Sequence, residues 1–254
     1  MTVFVAHNQV KLALHTLREG DGPTLLLLHA LGEHSPGAVP PEFEAWPGRV
    51  FALDFTGHGA STVPGGGGYT AEVLMGDADS ALWMTGPATV AGRGLGAYIA
   101  LLIAGGRPEL VRGAILLDGP GLAGGGDRPG PLNIRGVPGR STTPDPFALV
   151  ELSSDLRPPD YVTRFAALAA LNSGLDPAIA VCGKSRPDWL QAVAATEGVR
   201  ELEVNGLTHN FLFRGDINTV AAKLAGAELA NFSAEEPDLE EIFLHYYTGE
   251  AHSS

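Results

Sequence analysis

Ala88–Ala104 reads ATVAGRGLGAYIALLIA. Ala88–Ala91 follows the turn pair Gly86-Pro87 and begins a strand. Leu95–Ala104 is an apolar run of helical length, closed by Gly105-Gly106 and Pro108. Between the two stands Gly92-Arg93-Gly94-Leu95-Gly96. A strand that turns at once into a helix brings the two backbones almost into contact, and only small residues beside the turn permit this. Gly92 and Gly96 are such residues. Gly94, at the centre, takes positive φ without a Cβ penalty but offers no nucleophilic atom. The same five residues also fit a tight packing turn with no site attached.

Working outward, strand and helix signals alternate. Val10–Glu19, Thr24–His29, Val50–Asp54, Val111–Asp118 and Ala178–Cys182 read as strands, and Ala71–Thr85 as a helix without proline. Strands alternating with helices predict an α/β fold, a doubly wound and mostly parallel sheet with its ligand site beyond the carboxyl ends of the strands. Gly119–Arg140, GPGLAGGGDRPGPLNIRGVPGR, reads as an inserted loop. Asp145–Leu171 then carries apolar helical spacing.

Four patterns fall at strand ends. They are His29-Ala30-Leu31-Gly32, Asp54-Phe55-Thr56-Gly57-His58-Gly59-Ala60-Ser61, Gly92–Gly96, and LLDGPG at Leu116–Gly121. In this order and spacing the chain resembles the α/β-hydrolase family over roughly residues 10–190. The resemblance implies an eight-stranded sheet, a short cap at about residues 122–175, and a Ser-acid-His triad. It places the nucleophile at Gly94, where the side chain is absent, so no covalent acyl-enzyme forms there. It puts the oxyanion donors at the backbone N–H of Leu95 and of Ala30 or Leu31, and these survive side-chain change. His29 would order its loop, and Ser61 would bond locally. The candidate acid is Asp118 or Asp188, with Arg186 standing where the family often has its acid. The candidate base is His209, after a strand at Val199–Asn205.

A second resemblance covers the same end of the chain. Residues 198–249 close on Glu235-Glu236-Pro237-Asp238-Leu239-Glu240-Glu241-Ile242-Phe243. They are similar to the C-terminal appendix of ATP-binding subunits of ABC transporters. Residues 1–190 would then be the hydrolase-like body and 191–254 a small α+β appendix. The alternative is that 191–254 supplies the last strand and helices of the hydrolase fold. Composition favours the break. Of 34 glycines, only five lie in 191–254, and that stretch carries eleven acids against three basic residues. No G-x-x-x-x-G-K-[ST] loop occurs, so the appendix does not imply an ATPase.

The formal charge of −13 argues against nucleic acid, which needs a basic footprint. The lone Cys182 excludes an internal disulfide and a cysteine-based zinc site, and reads as a buried structural thiol. No metal set or nucleotide motif stands out, so no cofactor is implied. No stretch is apolar enough to insert in a membrane, and MTVFVAHNQVK lacks the layout of a signal peptide. The default address is the cytoplasm.

Three functions fit. The first is an α/β-hydrolase-fold protein, a family of small-ester and acyl hydrolases, degenerate at its elbow and left binding a small ligand. The second is an enzyme in which His209 activates a water in the space left by Gly94. The third is a non-enzymatic module that docks a protein partner through its acidic appendix.

Overall fold

The computed structural model describes residues 1–122, 143–153, 157–183 and 186–202. The apolar run Thr24–Leu28 forms strand β3, and all five residues are buried. That follows from a central strand covered on both faces. Around it lie β1 (Thr2–His7), β2 (Val10–Arg18), β4 (Val50–Leu53), β5 (Ala88–Arg93), β6 (Val111–Leu117), β7 (Ile179–Val181) and β8 (Val199–Glu201). The order across the sheet is β1-β2-β4-β3-β5-β6-β7-β8. β2 pairs antiparallel with β1 and β4, and every later pairing is parallel. The body is thus a doubly wound, mostly parallel α/β sheet with an α/β-hydrolase-like core.

This order contains a switch. β4 adds on one side of β3 and β5 on the other, with Leu28 opposite both Leu53 and Gly92. The chains leaving β3 and β5 therefore diverge and open a crevice at their carboxyl ends, where ligands of such sheets bind.

Helix α1 (Ala71–Thr85) starts on Thr70, whose side chain accepts the Val73 N–H, and buries Leu74, Ala78, Ala81 and Leu82. Helix α2 (Leu95–Gly106) buries every residue but its last. It runs through Gly105-Gly106 because a Cβ on Gly105 would lie 2.4 Å from the Phe165 carbonyl oxygen, so the bare backbone is what lets the chains touch. Phe165 belongs to α4 (Asp160–Asn172), which with α3 (Pro146–Glu151) divides the Asp145–Leu171 spacing in two. Pro158 and Pro159 stand at the division and cannot continue a helix begun before them. Helix α5 (Asp188–Ala194) seats Trp189 edge-on against Tyr98 of α2.

Alternation along the strands sorts the core. Leu26, Leu28, Val90, Ala114 and Leu116 face the cluster that holds residues of all five helices. Leu25, Leu27, Val50, Ala52 and Ala91 face a smaller cluster with Phe43, from a 3-10 turn at Pro41–Phe43. Strand β1 is an addition to the sequence reading. Only Val5 in it is buried, so its alternation carries almost no hydrophobic signal.

Candidate functional site

Gly92 and Gly96 stand where no side chain fits. A Cβ on Gly92 would lie 2.0 Å from the Gly96 carbonyl oxygen, and one on Gly96 would lie 2.3 Å from that of Leu28. Gly94 between them has φ 48° and ψ −110°. This is a strained turn that glycine adopts without a Cβ clash of its own. The turn ends β5 and caps α2, with the Gly94 N–H on the Leu117 carbonyl oxygen at 3.0 Å.

The space above Gly94 is filled. A Cβ there would lie 2.3 Å from both the carbonyl carbon and the oxygen of Gly119, and 2.4 Å from the Pro120 oxygen. The Leu95 and Leu31 N–H groups both donate to that Pro120 oxygen, each at 3.0 Å. Two backbone donors converging on one oxygen is the geometry that stabilises an oxyanion, and its occupant here is a neutral peptide carbonyl. The Ala30 N–H, the alternative donor, bonds Glu33 Oε2 at 3.3 Å. Residues 119–121 thus form a strap over the elbow. Gly121 has φ 114°, and a Cβ on it would lie 2.8 Å from Leu31 Cβ and 2.9 Å from Leu95 Cβ. Beyond it, the Leu122 N–H is fixed to the Leu152 carbonyl oxygen at 2.8 Å.

His29 is buried, and both ring nitrogens are engaged. Nε2 accepts the Phe55 N–H at 3.1 Å, so Nδ1 carries the proton and donates to the Ala30 oxygen at 2.8 Å. Burial, with the neighbouring His58 adding to it, lowers its pKa to about 3. The ring is neutral near pH 7 and holds the β3 loop to the β4 loop. His58 is also fully buried, with its pKa lowered by burial. Its Nδ1 donates to the Thr56 oxygen at 3.1 Å, and among the described residues Nε2 has no partner.

The carboxylates nearby serve loops. Asp54 accepts the N–H of Ser35 at 2.7 Å, that of Ala60 at 2.8 Å, and His15 Nε2 at 3.0 Å. Burial alone would raise its pKa, but these donors outweigh it and hold the carboxyl below its ordinary range. Ser61 Oγ donates to the Asp54 carbonyl oxygen at 2.6 Å and accepts the Ala13 N–H at 2.8 Å. Asp77 accepts from His7 Nδ1 at 2.7 Å and from the Thr56 N–H and hydroxyl at 2.8 and 3.0 Å. On the far side, the buried Tyr69 hydroxyl donates to Asp145 Oδ2 at 2.6 Å, and the Asp145 N–H donates to the Gly57 oxygen at 2.8 Å.

The structure therefore brings Gly94, Leu95, Leu31 and Ala30 together around the strap. Asp118 follows β6 and lies beside Gly183, where a Cβ would be 2.5 Å from its Oδ1. Asp188 is exposed at the start of α5. Arg186 bonds Glu201 and the Gly183 carbonyl oxygen. His209 lies outside the described residues, as does everything from 203 onward; of the strand expected at Val199–Asn205, Val199–Glu201 forms β8 beside β7. Cys182 is half-buried, and burial pushes its thiol pKa up, away from a nucleophilic thiolate. Among the described residues no group of three potential ligands gathers to hold a metal, and no helix is long and apolar enough to cross a membrane. Sequence reasoning missed Pro120. LLDGPG stood out only as a strand-end pattern, and a backbone acceptor leaves no letter in a sequence.

Against known proteins, no family model and no curated protein matches the chain. Solved structures do. An epoxide hydrolase from Vigna radiata is 22% identical over 47% of this chain and 40% of its own, with a TM-score of 0.39. A laboratory-evolved variant of potato epoxide hydrolase is 26% identical over 47% and 40%, with a TM-score of 0.38. E-2-(Acetamidomethylene)succinate hydrolase is 26% identical over 48% and 45%, with a TM-score of 0.40. The chain spans less than half the length of each of these three structures.

Proposed function

We propose that this protein is a degenerate member of the α/β-hydrolase family that binds a small acyl compound, an ester or amide, without covalent catalysis. One observation carries the reading: at Gly94 there is neither a nucleophilic atom nor room for one, since a Cβ would lie 2.3 Å from the Gly119 carbonyl. What remains of hydrolase machinery is the pair of N–H groups on Leu31 and Leu95, which suit a carbonyl oxygen. In this reading Asp118 or Asp188 is the vestigial acid and His209 the vestigial base, and neither has a hydroxyl to activate. The hydrolase-like body in this reading is residues 1–190 together with the rest of α5 and the paired strand β8, and the acidic sequence beyond β8 is an appendix.

The test uses p-nitrophenyl butyrate with the full chain. We expect no burst of p-nitrophenolate and no acyl adduct by intact-mass spectrometry. A burst stoichiometric with protein, together with an acylated side chain, would overturn the reading.

A further inference from the structure

The Pro120 carbonyl is placed as a ligand would be. Its two donors come from chain segments distant in sequence, one after β3 and one at the head of α2, and both belong to the crevice at the switch in strand order. It is not held by a ladder or a helix of its own. The strap leaves β6 after Leu117 and its N–H at Leu122 is bonded to Leu152, and between those points the Pro120 oxygen takes the Leu31 and Leu95 N–H groups. Gly121 follows that oxygen and Gly119 precedes the proline, so the chain can adjust at the two glycines while the proline ring holds its own φ. The proline itself is exposed. Leu95 is fully buried, so its N–H needs an acceptor in either state.

We propose that the Gly119–Gly121 strap is a displaceable internal ligand of the Leu31 and Leu95 N–H pair, which an external acyl carbonyl replaces when the strap lifts. This rests on reading the site as a carbonyl-binding one. Its consequence is a regulated affinity. A ligand that binds only the strap-free state shows its intrinsic dissociation constant divided by the fraction of that state, so any change that lifts the strap tightens binding by the same factor.

Two measurements decide it, both on the full chain. In native-state hydrogen exchange, the Leu31 and Leu95 amides exchange together and at least about tenfold faster than the Ile99 amide inside α2. In an amide-shift titration with butyramide, Gly119→Ala raises affinity at least about tenfold over the unmodified protein. Its new methyl would sit 2.8 Å from the Gly94 nitrogen and 2.9 Å from Ala30 Cβ, and so levers the strap away. Butan-1-ol, which lacks the carbonyl, gains nothing. The proposal falls if the two amides exchange only as slowly as Ile99, if Gly119→Ala folds and gains no affinity, or if butan-1-ol gains equally. If Gly119→Ala does not fold, the exchange rates alone decide. An acyl adduct with p-nitrophenyl butyrate would sink the functional reading and leave the exchange result standing, so the two fail separately.

Discussion

The loop after β4 and the turn after β5 flank β3 on opposite sides, and they are held by opposite means. The β4 loop is held by side chains. Asp54 gathers three donors, Ser61 ties the loop to β2, Asp77 receives Thr56, and His29 bridges from β3. The β5 turn is held by the lack of side chains. Gly92, Gly94 and Gly96 each stand where a Cβ would collide with backbone, and the buried polar contacts there run from peptide to peptide, with the Arg93–Glu33 pair outside at the surface. The first kind of order depends on charge and protonation, and the second on shape alone. The half of the crevice held by side chains is therefore the half sensitive to acid. The half at the glycine turn is sensitive to added bulk.

The largest effect falls on the charged side. Asp54→Ala leaves the buried Ser35 N–H and two partly buried donors without their acceptor, and costs about 3–5 kcal/mol by urea denaturation. A cost near zero would mean that the β4 loop, like the elbow, stands on shape. Next comes Gly94→Ala, which forces an alanine to φ 48° under the strap and costs about 1–3 kcal/mol in the same assay. A neutral or stabilising result would break the claim that this half is defined by absent bulk.

Acid sharpens the contrast further. His29 and His58 have folded pKa values below the unfolded 6.5, about 3 for His29, so the unfolded chain binds more protons in that window. Their contribution is complete above pH 6.5 and is lost as pH falls through the folded values, which for His29 means toward 3. Each group contributes a slope of at most about 1.4 kcal/mol per pH unit. His7 acts oppositely. Its bond to Asp77 raises its pKa, so its contribution is present below 6.5 and lost as pH rises through the folded value. His29 alone gives a loss of about 2 kcal/mol between pH 7 and pH 5, with His58 adding to it and His7 opposing it. Urea midpoints at the two pH values check this, and a rise in stability on acidification would contradict it. The smallest effect belongs to the exposed pair of Arg93 and Glu33, 3.3 Å apart. Arg93→Gln, inside the GRGLG turn but pointing to solvent, shifts stability by less than about 0.5 kcal/mol.

Much of this was legible in the sequence, for reasons that differ by residue. The central strands were plain because TLLLL and VFALD are apolar runs that only a two-sided burial explains. The Gly92–Gly96 turn was plain because close backbone approach admits almost no other residue. β1 was not, since a strand with one buried residue has no period to read. The strap was not, because the Pro120 contact is made by a carbonyl oxygen that every residue possesses. The roles of Asp54 and Asp77 as loop anchors depend on which N–H groups the fold brings to them, and composition says nothing of that. The order of strands across the sheet was not legible either, because no periodicity says which strands become neighbours.

The bond from Tyr69 to Asp145 makes the protein report on itself optically. Burial, with Asp145 adding to it, raises the Tyr69 pKa well above its ordinary value. A free phenol takes on the red-shifted absorption of phenolate near pH 10. Tyr69 instead keeps the spectrum of the neutral ring through that range, while exposed tyrosines turn over. Its own change in colour arrives only when the segment around Asp145 parts from the β4 loop. In a stopped-flow jump to alkaline pH followed in the near ultraviolet, the slow phase that Tyr69→Phe removes therefore times the parting of those two segments without any label. If Tyr69→Phe removes no slow phase, the two segments do not hold together.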